Sequence, residues 1–324
     1  MERVILKGLK PESYEHVWDV NAKKILKTIP MFSSAVKKFN ETFSDKVIIM
    51  EHKASYLEIN SRQYSRIYDI FTDCCRILDV KQPPLFLVRS PQINAYTMGV
   101  ANPLICITSE CVEFLSEDEL RFIFGHELGH IKSEHILYKS LASYLQMGGN
   151  EILIGAFPIG GVVAVIALNS ALYKWSRMSE YTADRAGLLC VQDLDTSISS
   201  LAKLAGFVNV ADETFNTEEF INQAERFNEQ YQEGPDSLMA NVRIMLGNYT
   251  HPYTVSRVYE LIDWCKKGSC YKLIQSLGID KLVANDDSTI EEFQKCGNCG
   301  KEIPVGNYYC PHCGKSTDRL NKLM

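Results

Sequence analysis

Positive charge is in short supply in this chain: 34 Lys and Arg residues stand against 40 Asp and Glu, a net charge of -6. Phosphate contacts need a positive field, so this balance argues against a dedicated nucleic-acid binder while leaving room for a small local basic patch, and nucleic acid is not an expected partner. A long apolar run is absent from the opening residues as well, where Glu2, Arg3, Lys7 and Lys10 interrupt it. A secretory signal needs an unbroken apolar segment, so the expected location is the cytoplasm. The eleven cysteines are an odd set with two tight pairs, Cys296/Cys299 and Cys310/Cys313. That pattern fits reduced thiols and bound metal rather than a secreted disulfide scaffold. The other seven, Cys74, Cys75, Cys106, Cys111, Cys190, Cys265 and Cys270, lack ligand spacing and read as packing residues.

What is present is a globular composition, with 46% hydrophobic and 23% charged residues over 324 positions, enough for one large domain or two ordinary ones. From Pro11 to about Val80 apolar residues recur at helical spacing, as in Ile67, Ile70, Phe71, Cys74, Ile77 and Leu78. This predicts a helical lead-in with at most one short strand, at Val47 to Met50. After Pro83-Pro84 the texture changes to short β-type runs, Leu85 to Val88, Ala95 to Met98 and Leu104 to Ile107, separated by Pro91, Gly99 and Pro103. These predict a small sheet.

Ser116-Glu-Asp-Glu119 reads as a capping box, in which the Ser hydroxyl and the Glu119 carboxylate satisfy the free amides of a helix start. The helix it opens carries His126-Glu127-Leu128-Gly129-His130. Positions four apart on a helix differ by only about 40° of rotation, so both imidazoles can reach one ion, with Glu127 at the flank beside a metal-bound water. A hydrolytic zinc site takes a third protein ligand and keeps one position open. His135 is one candidate, but a continuing helix turns it about 140° from the pair. Ser133 and Ile136 also stand where the longer histidine motif has Gly and His; the expectation is a solvent-facing residue. Glu180 is the better candidate. It shares a helix face with Asp184, which could accept from the distal nitrogen of a ligand histidine and set its tautomer.

Asn94-Ala-Tyr96, Ile107-Thr-Ser, Leu115 to Leu120, His126 to Ile131, Glu180-Tyr-Thr-Ala-Asp184 and Thr250-His-Pro252 follow one another in an order that resembles the HtpX-like and CAAX-prenyl-protease family of gluzincin metallopeptidases. The resemblance covers roughly Pro84 to Trp264. It implies a zincin-like catalytic domain with His126, His130 and Glu180 as zinc ligands, Glu127 as general base and Asp184 behind a ligand. It also implies that Asn94, Ala95 and Tyr96 lie at the edge of the cleft, where a peptide could add as a further strand. The implied reaction is hydrolysis of a peptide bond, with zinc acidifying water and Glu127 taking its proton. The expected substrates are proteins or peptides, and the resemblance implies misfolded or membrane-proximal ones.

His251 and Arg257 are candidate donors to the oxyanion. Pro252 is a favourable first helical residue, so His251 is expected at a helix entrance and Arg257 in the following turns. His251 could instead close the metal's fourth position and hold the enzyme latent, or be structural; for Arg257 the competing reading is an ion pair.

No charged residue occurs between Ile152 and Tyr173, a length that could cross a bilayer. A single crossing is excluded because it would put the two histidines and Glu180 on opposite sides of the membrane. Two crossings need about forty apolar residues. Pro158-Ile-Gly-Gly161 suggests instead a helical hairpin over 145–175, with membrane contact at its tip as one outcome and core packing as the other. The expected protein is therefore cytoplasmic, or peripheral to a membrane.

Near the end, Cys296-Gly-Asn-Cys299 and Cys310-Pro-His-Cys313 match a zinc ribbon. Four thiolates make a closed, structural zinc site whose metal drives folding of so short a module. A protein partner is its expected use. The resulting picture is an α+β, mainly helical chain with two zinc ions, one catalytic and one structural. A helical region (1–83) precedes a peptidase domain (84–265), a connecting segment (266–292) and a ribbon (293–318). The activity expected is that of a zinc endopeptidase. The competing class is a catalytically silent or latent zinc protein whose ribbon binds a protein or nucleic-acid partner, and a third reading is an aminopeptidase.

Overall fold

The computed structural model describes residues 3–29, 32–42, 45–145, 161–206, 215–231, 251–277, 293–297 and 300–304. Among them the fold is α+β and mainly helical. The N-terminal region forms α1 (Val17–Thr28), α2 (Phe32–Thr42) and α3 (Asp45–Ser55), then β1 (Leu57–Ile59) and α4 (Ser65–Ile77). The strand expected at Val47 to Met50 is thus a helix. Charged residues flank the short apolar run, Val47 and Met50 face solvent, and His52 is buried one turn on, a helical rather than an alternating pattern. The strand of this region comes later and pairs antiparallel with β2 (Leu85–Val88).

β3 (Ala95–Met98) and β4 (Leu104–Thr108) complete a four-stranded sheet of order β1-β2-β4-β3. β2 and β4 are parallel, and β3 runs antiparallel to β4 with Thr97 opposite Ile105. β4 is buried along its whole length, as a central strand should be, whereas β3 is an edge. Alternation sends Tyr96 and Met98 to one face with Phe86, and leaves Ala95 and Thr97 on the other, towards the helices.

α5 (Ser109–Phe114) leads into α6 (Glu117–Lys132), whose start is the expected capping box. Ser116 Oγ accepts from the Glu119 amide at 3.3 Å, and the Glu119 carboxylate accepts from the Ser116 amide at 2.7 Å. Every residue from Leu120 to His130 except Arg121 is buried, so α6 is the central helix of the domain. α7 (Ile136–Tyr144) follows, and then α8 (Gly161–Val191), which lies along α6. Their contact is made of small residues. A Cβ added at Gly125 would come within 2.5 Å of Cys190 Cβ, and one at Gly129 within 2.6 Å of Ala186 Cβ. Only glycine permits that approach, and it is what brings the histidines of α6 to the carboxylates of α8.

The first half of α8 packs Val165, Leu168, Leu172 and Trp175 against α1, α2 and α7 in a core of its own, with Leu26, Phe39 and Leu141. Of the hairpin expected over 145–175, the second arm belongs to α8, which also packs on α7, while its first arm and tip at 146–160 lie outside the described residues. No helix among the described residues is long and apolar enough to cross a membrane.

α9 (Leu194–Ala205), α10 (Thr217–Tyr231), α11 (Thr254–Lys266) and α12 (Ser269–Leu277) close the main core from the other side. α11 starts two residues beyond Pro252, so Pro252 precedes the helix rather than opening it. The seven cysteines read as packing residues are free and buried. Of the segment expected to form a ribbon, the described residues include a hairpin of β5 (Phe293–Lys295) and β6 (Glu302–Pro304). Beside it the Cys296 amide donates to Lys301 O and the Gly300 amide to Cys296 O, both at 2.9 Å. Cys299, Cys310 and Cys313 lie outside the described residues.

Candidate active site

α6 and α8 bring together the three side chains expected to hold metal. His126, His130 and Glu180 are buried, and one ligand atom from each lies within 4.8 Å of the others. His126 Nε2 stands 3.3 Å from Glu180 Oε2, and His130 Nε2 stands 3.4 Å from Glu180 Oε1. Two ligands of a tetrahedral zinc at about 2.0–2.1 Å are about 3.3–3.4 Å apart, so the donors are spaced as that ion requires. Glu180 Oε2 is also buried without a hydrogen bond, a position that a protein leaves only where something else satisfies the charge. The residues present therefore fit a zinc ion.

Behind His126, the Nδ1 atom lies 3.0 Å from Asp184 Oδ1. Asp184 is held in turn by Arg257, whose Nε and terminal nitrogen donate at 2.8 and 2.6 Å to its two oxygens. Both members of this ion pair are buried, and the guanidinium opposes the burial cost to keep the Asp184 carboxyl below its ordinary range. Burial also opposes protonation of His126, but the Asp184 and Glu180 carboxylates outweigh it and raise His126 to about 9. His130 shifts the other way, pushed well below the usual imidazole value by burial and then by the ammonium of Lys139.

Lys139 was not anticipated from the sequence. It reaches back from α7 to donate to His130 Nε2 at 3.2 Å and to Glu180 Oε1. Burial works against ionisation of Glu180, yet Lys139, His251 and His130 hold its carboxyl well below the ordinary range.

Glu127 lies on the flank of the pair, buried, and Thr97 Oγ1 donates to its Oε2 at 2.6 Å. The edge strand thus orients the carboxylate beside the three candidate metal ligands. Asn94 precedes that strand, and Ala95 and Tyr96 open it. Tyr96 turns to the face away from the helices. The signal for Thr97 was its position two residues on from Ala95, which puts both on the helix-facing side.

His251 is 58% exposed, with Nε2 3.4 Å from Glu180 Oε2, so it stands at the rim of the ligand cluster. Arg257 is 6% exposed and its donors are turned to Asp184.

His135 corrects an expectation. It is 0% exposed rather than solvent-facing. The rotation argument assumed a helix continuing past His130, but α6 ends at Lys132 and Glu134 adopts φ 56°, so the chain turns and brings His135 back over His130. Their Nδ1 atoms are 2.9 Å apart.

The sequence profile of Peptidase family M48 matches residues 61–265. The chain is similar to the plastoglobule-localized metallopeptidase 48, chloroplastic, of Arabidopsis thaliana, at 25% identity over 291 residues, 89% of this chain and 80% of that protein. It is also similar to a protease HtpX homolog of Ralstonia pickettii, at 28% identity over 54% of this chain and 67% of that protein. A protease HtpX homolog of Burkholderia mallei is 26% identical over 71% of this chain and 84% of its own. No solved structure matches. With the family profile spanning both histidines, Glu180 and Asp184, the chain belongs to peptidase family M48 and is a zinc-dependent protease.

Proposed function

We propose that the chain is an endopeptidase in which His126, His130 and Glu180 hold the catalytic zinc and Glu127 is the general base. The observation that carries this is the spacing of 3.3 and 3.4 Å between the histidine nitrogens and the Glu180 oxygens, with Glu127 held beside them by Thr97. Zinc bound there supplies a Lewis acid for the scissile carbonyl and acidifies water. Glu127 takes the proton from the attacking water and delivers it to the leaving amine. Asp184, clamped by Arg257, keeps the His126 ring in place, so Arg257 acts through Asp184.

A peptide adds as a strand along β3 near Asn94, Ala95 and Tyr96, since that strand pairs on one side only among the described residues. A second, structural zinc on Cys296, Cys299, Cys310 and Cys313 and a protein partner for that module complete the proposal. Substrates are protein or peptide chains, with misfolded ones the class the family suggests.

The test compares casein cleavage by wild type, wild type with chelator, and Glu127→Gln. Chelator and substitution should each abolish cleavage, and equal cleavage by wild type and Glu127→Gln would refute the role of Glu127. Wild type should hold two zinc ions and a chain cut before Cys296 one. The 3.4 Å from His251 Nε2 to Glu180 Oε2 favours a second reading, in which His251 closes the open metal position and keeps the enzyme latent. His251→Ala then raises activity, whereas a role as oxyanion donor lowers it.

A further inference from the structure

The buried side chains behind His130 have no part in the reaction as described above. His130 Nδ1 meets His135 Nδ1 at 2.9 Å, and His135 Nε2 meets Asp19 Oδ2 at 3.0 Å. Asp19 belongs to α1, where it is 1% exposed on the same buried stripe as Ala22 and Leu26. Its other contacts are donors as well: Trp175 Nε1 at 2.9 Å to Oδ1, and Thr182 Oγ1 at 2.7 Å to Oδ2. The Thr182 hydroxyl donates to Asp19, because an ionised carboxylate can only accept, while its own oxygen accepts from the His16 amide at 3.0 Å.

The proton positions follow from groups that can play only one role. An ionised carboxylate only accepts, so His135 carries its proton on Nε2. Its Nδ1 is then the acceptor, and His130 must donate from Nδ1. That leaves His130 Nε2 with a lone pair. The opposite end of the chain agrees, because the Lys139 ammonium beside Nε2 can only donate. A carboxylate at one end and an ammonium at the other therefore select the same pair of tautomers.

We propose that Asp19 and His135 are positioning residues for the metal centre, which set the His130 tautomer and aim its Nε2 lone pair at the ion. The inference rests on His130 being a zinc ligand. It makes the N-terminal helix, which lies outside the segment matched by the family profile, part of the site. The two ligand histidines are then backed differently: His126 by Asp184 directly, His130 by Asp19 through a second imidazole. A histidine in the middle keeps the polar chain unbroken where the carboxylate stands one ring too far away to reach His130 itself.

The experiment measures zinc affinity of the full chain by competition with a chromophoric chelator, following the ion that is lost in His130→Ala. His135→Phe keeps a ring but removes the acceptor, and should weaken binding about ten- to a hundredfold. His135→Asn places an acceptor oxygen near the Nδ1 position and should stay within about threefold of wild type, a rescue that a merely space-filling role would not produce. Equal affinity of wild type and His135→Phe, or equal losses in the Phe and Asn variants, overturns the proposal. Nitrogen-15 spectra of zinc-loaded wild type need no variant and guard against misfolding. They should show His135 protonated on Nε2 alone, and a proton on its Nδ1 overturns the proposal. If His130→Ala loses no zinc, the ligand assignment itself fails, a result distinct from failure of the relay.

Discussion

Replacing Gly129 by alanine tests whether the approach of α6 to α8 is what assembles the site. The new Cβ would sit 2.6 Å from Ala186 Cβ and 3.3 Å from Ala183 Cα. Carbon atoms rest about 3.5–4.0 Å apart, so the helices must separate by roughly 1 Å at this point. Overpacking of that kind costs about 1–3 kcal/mol, and the better helix propensity of alanine offsets about 1 kcal/mol of it. The expected net change is a loss of up to about 2 kcal/mol, which at about 2–4 °C per kcal/mol lowers the melting temperature by up to roughly 8 °C. Separation also pulls His126 and His130 from Glu180, so zinc affinity should fall with stability. Moving the methyl group across the interface, in Gly129→Ala with Ala186→Gly, should recover most of both losses, since helix propensity is then nearly unchanged. Thermal unfolding of the metal-free proteins and chelator competition read the two effects. A Gly129→Ala protein more stable than wild type by about 1 kcal/mol, as propensity alone predicts, would refute the packing argument, as would a double variant that recovers none of the zinc affinity.

Asp184→Asn leaves the buried Arg257 charge without its partner, and should cost about 3–5 kcal/mol by chemical denaturation while weakening zinc binding about ten- to a hundredfold; an unchanged denaturation midpoint would count against the ion pair. His126 is raised to about 9 in the metal-free protein, above neutral pH, so as the proposed ligand it loses a proton when zinc binds. Calorimetry in buffers of different ionisation enthalpy should show this proton at pH 7 and its loss as pH rises through 9; a His126 contribution that does not vary with pH would contradict it. Thr97→Val removes the donor that holds Glu127, a charged hydrogen bond worth about 1.5–3 kcal/mol, and should lower kcat about tenfold or more with KM little changed. An effect confined to KM would instead make Thr97 a substrate contact.

Helix periodicity and capping made α6 legible, because spacing four apart and the Ser116–Glu119 box are properties of the local backbone. The three short strands flanked by proline and glycine were legible for the same reason. At Val47 to Met50 local texture misled, since a run of four apolar residues suits either element and what decides is whether a partner strand lies alongside. Asp19 does leave a trace in the sequence, since an acidic residue on the apolar stripe of an amphipathic helix implies a buried partner.

The sequence by itself singled out the candidate ligands and base and determined that His126 and His130 share a face, since spacing within a turn or two is a property of the local backbone. Tertiary structure decided which groups stand behind them. Asp19 meets His135 across 116 residues, Lys139 meets Glu180 across 41, and Thr97 reaches Glu127 across 30. Such contacts depend on where one helix stops and how closely another can approach. At this site those were settled by the left-handed turn at Glu134 and by a methyl group absent from Gly129.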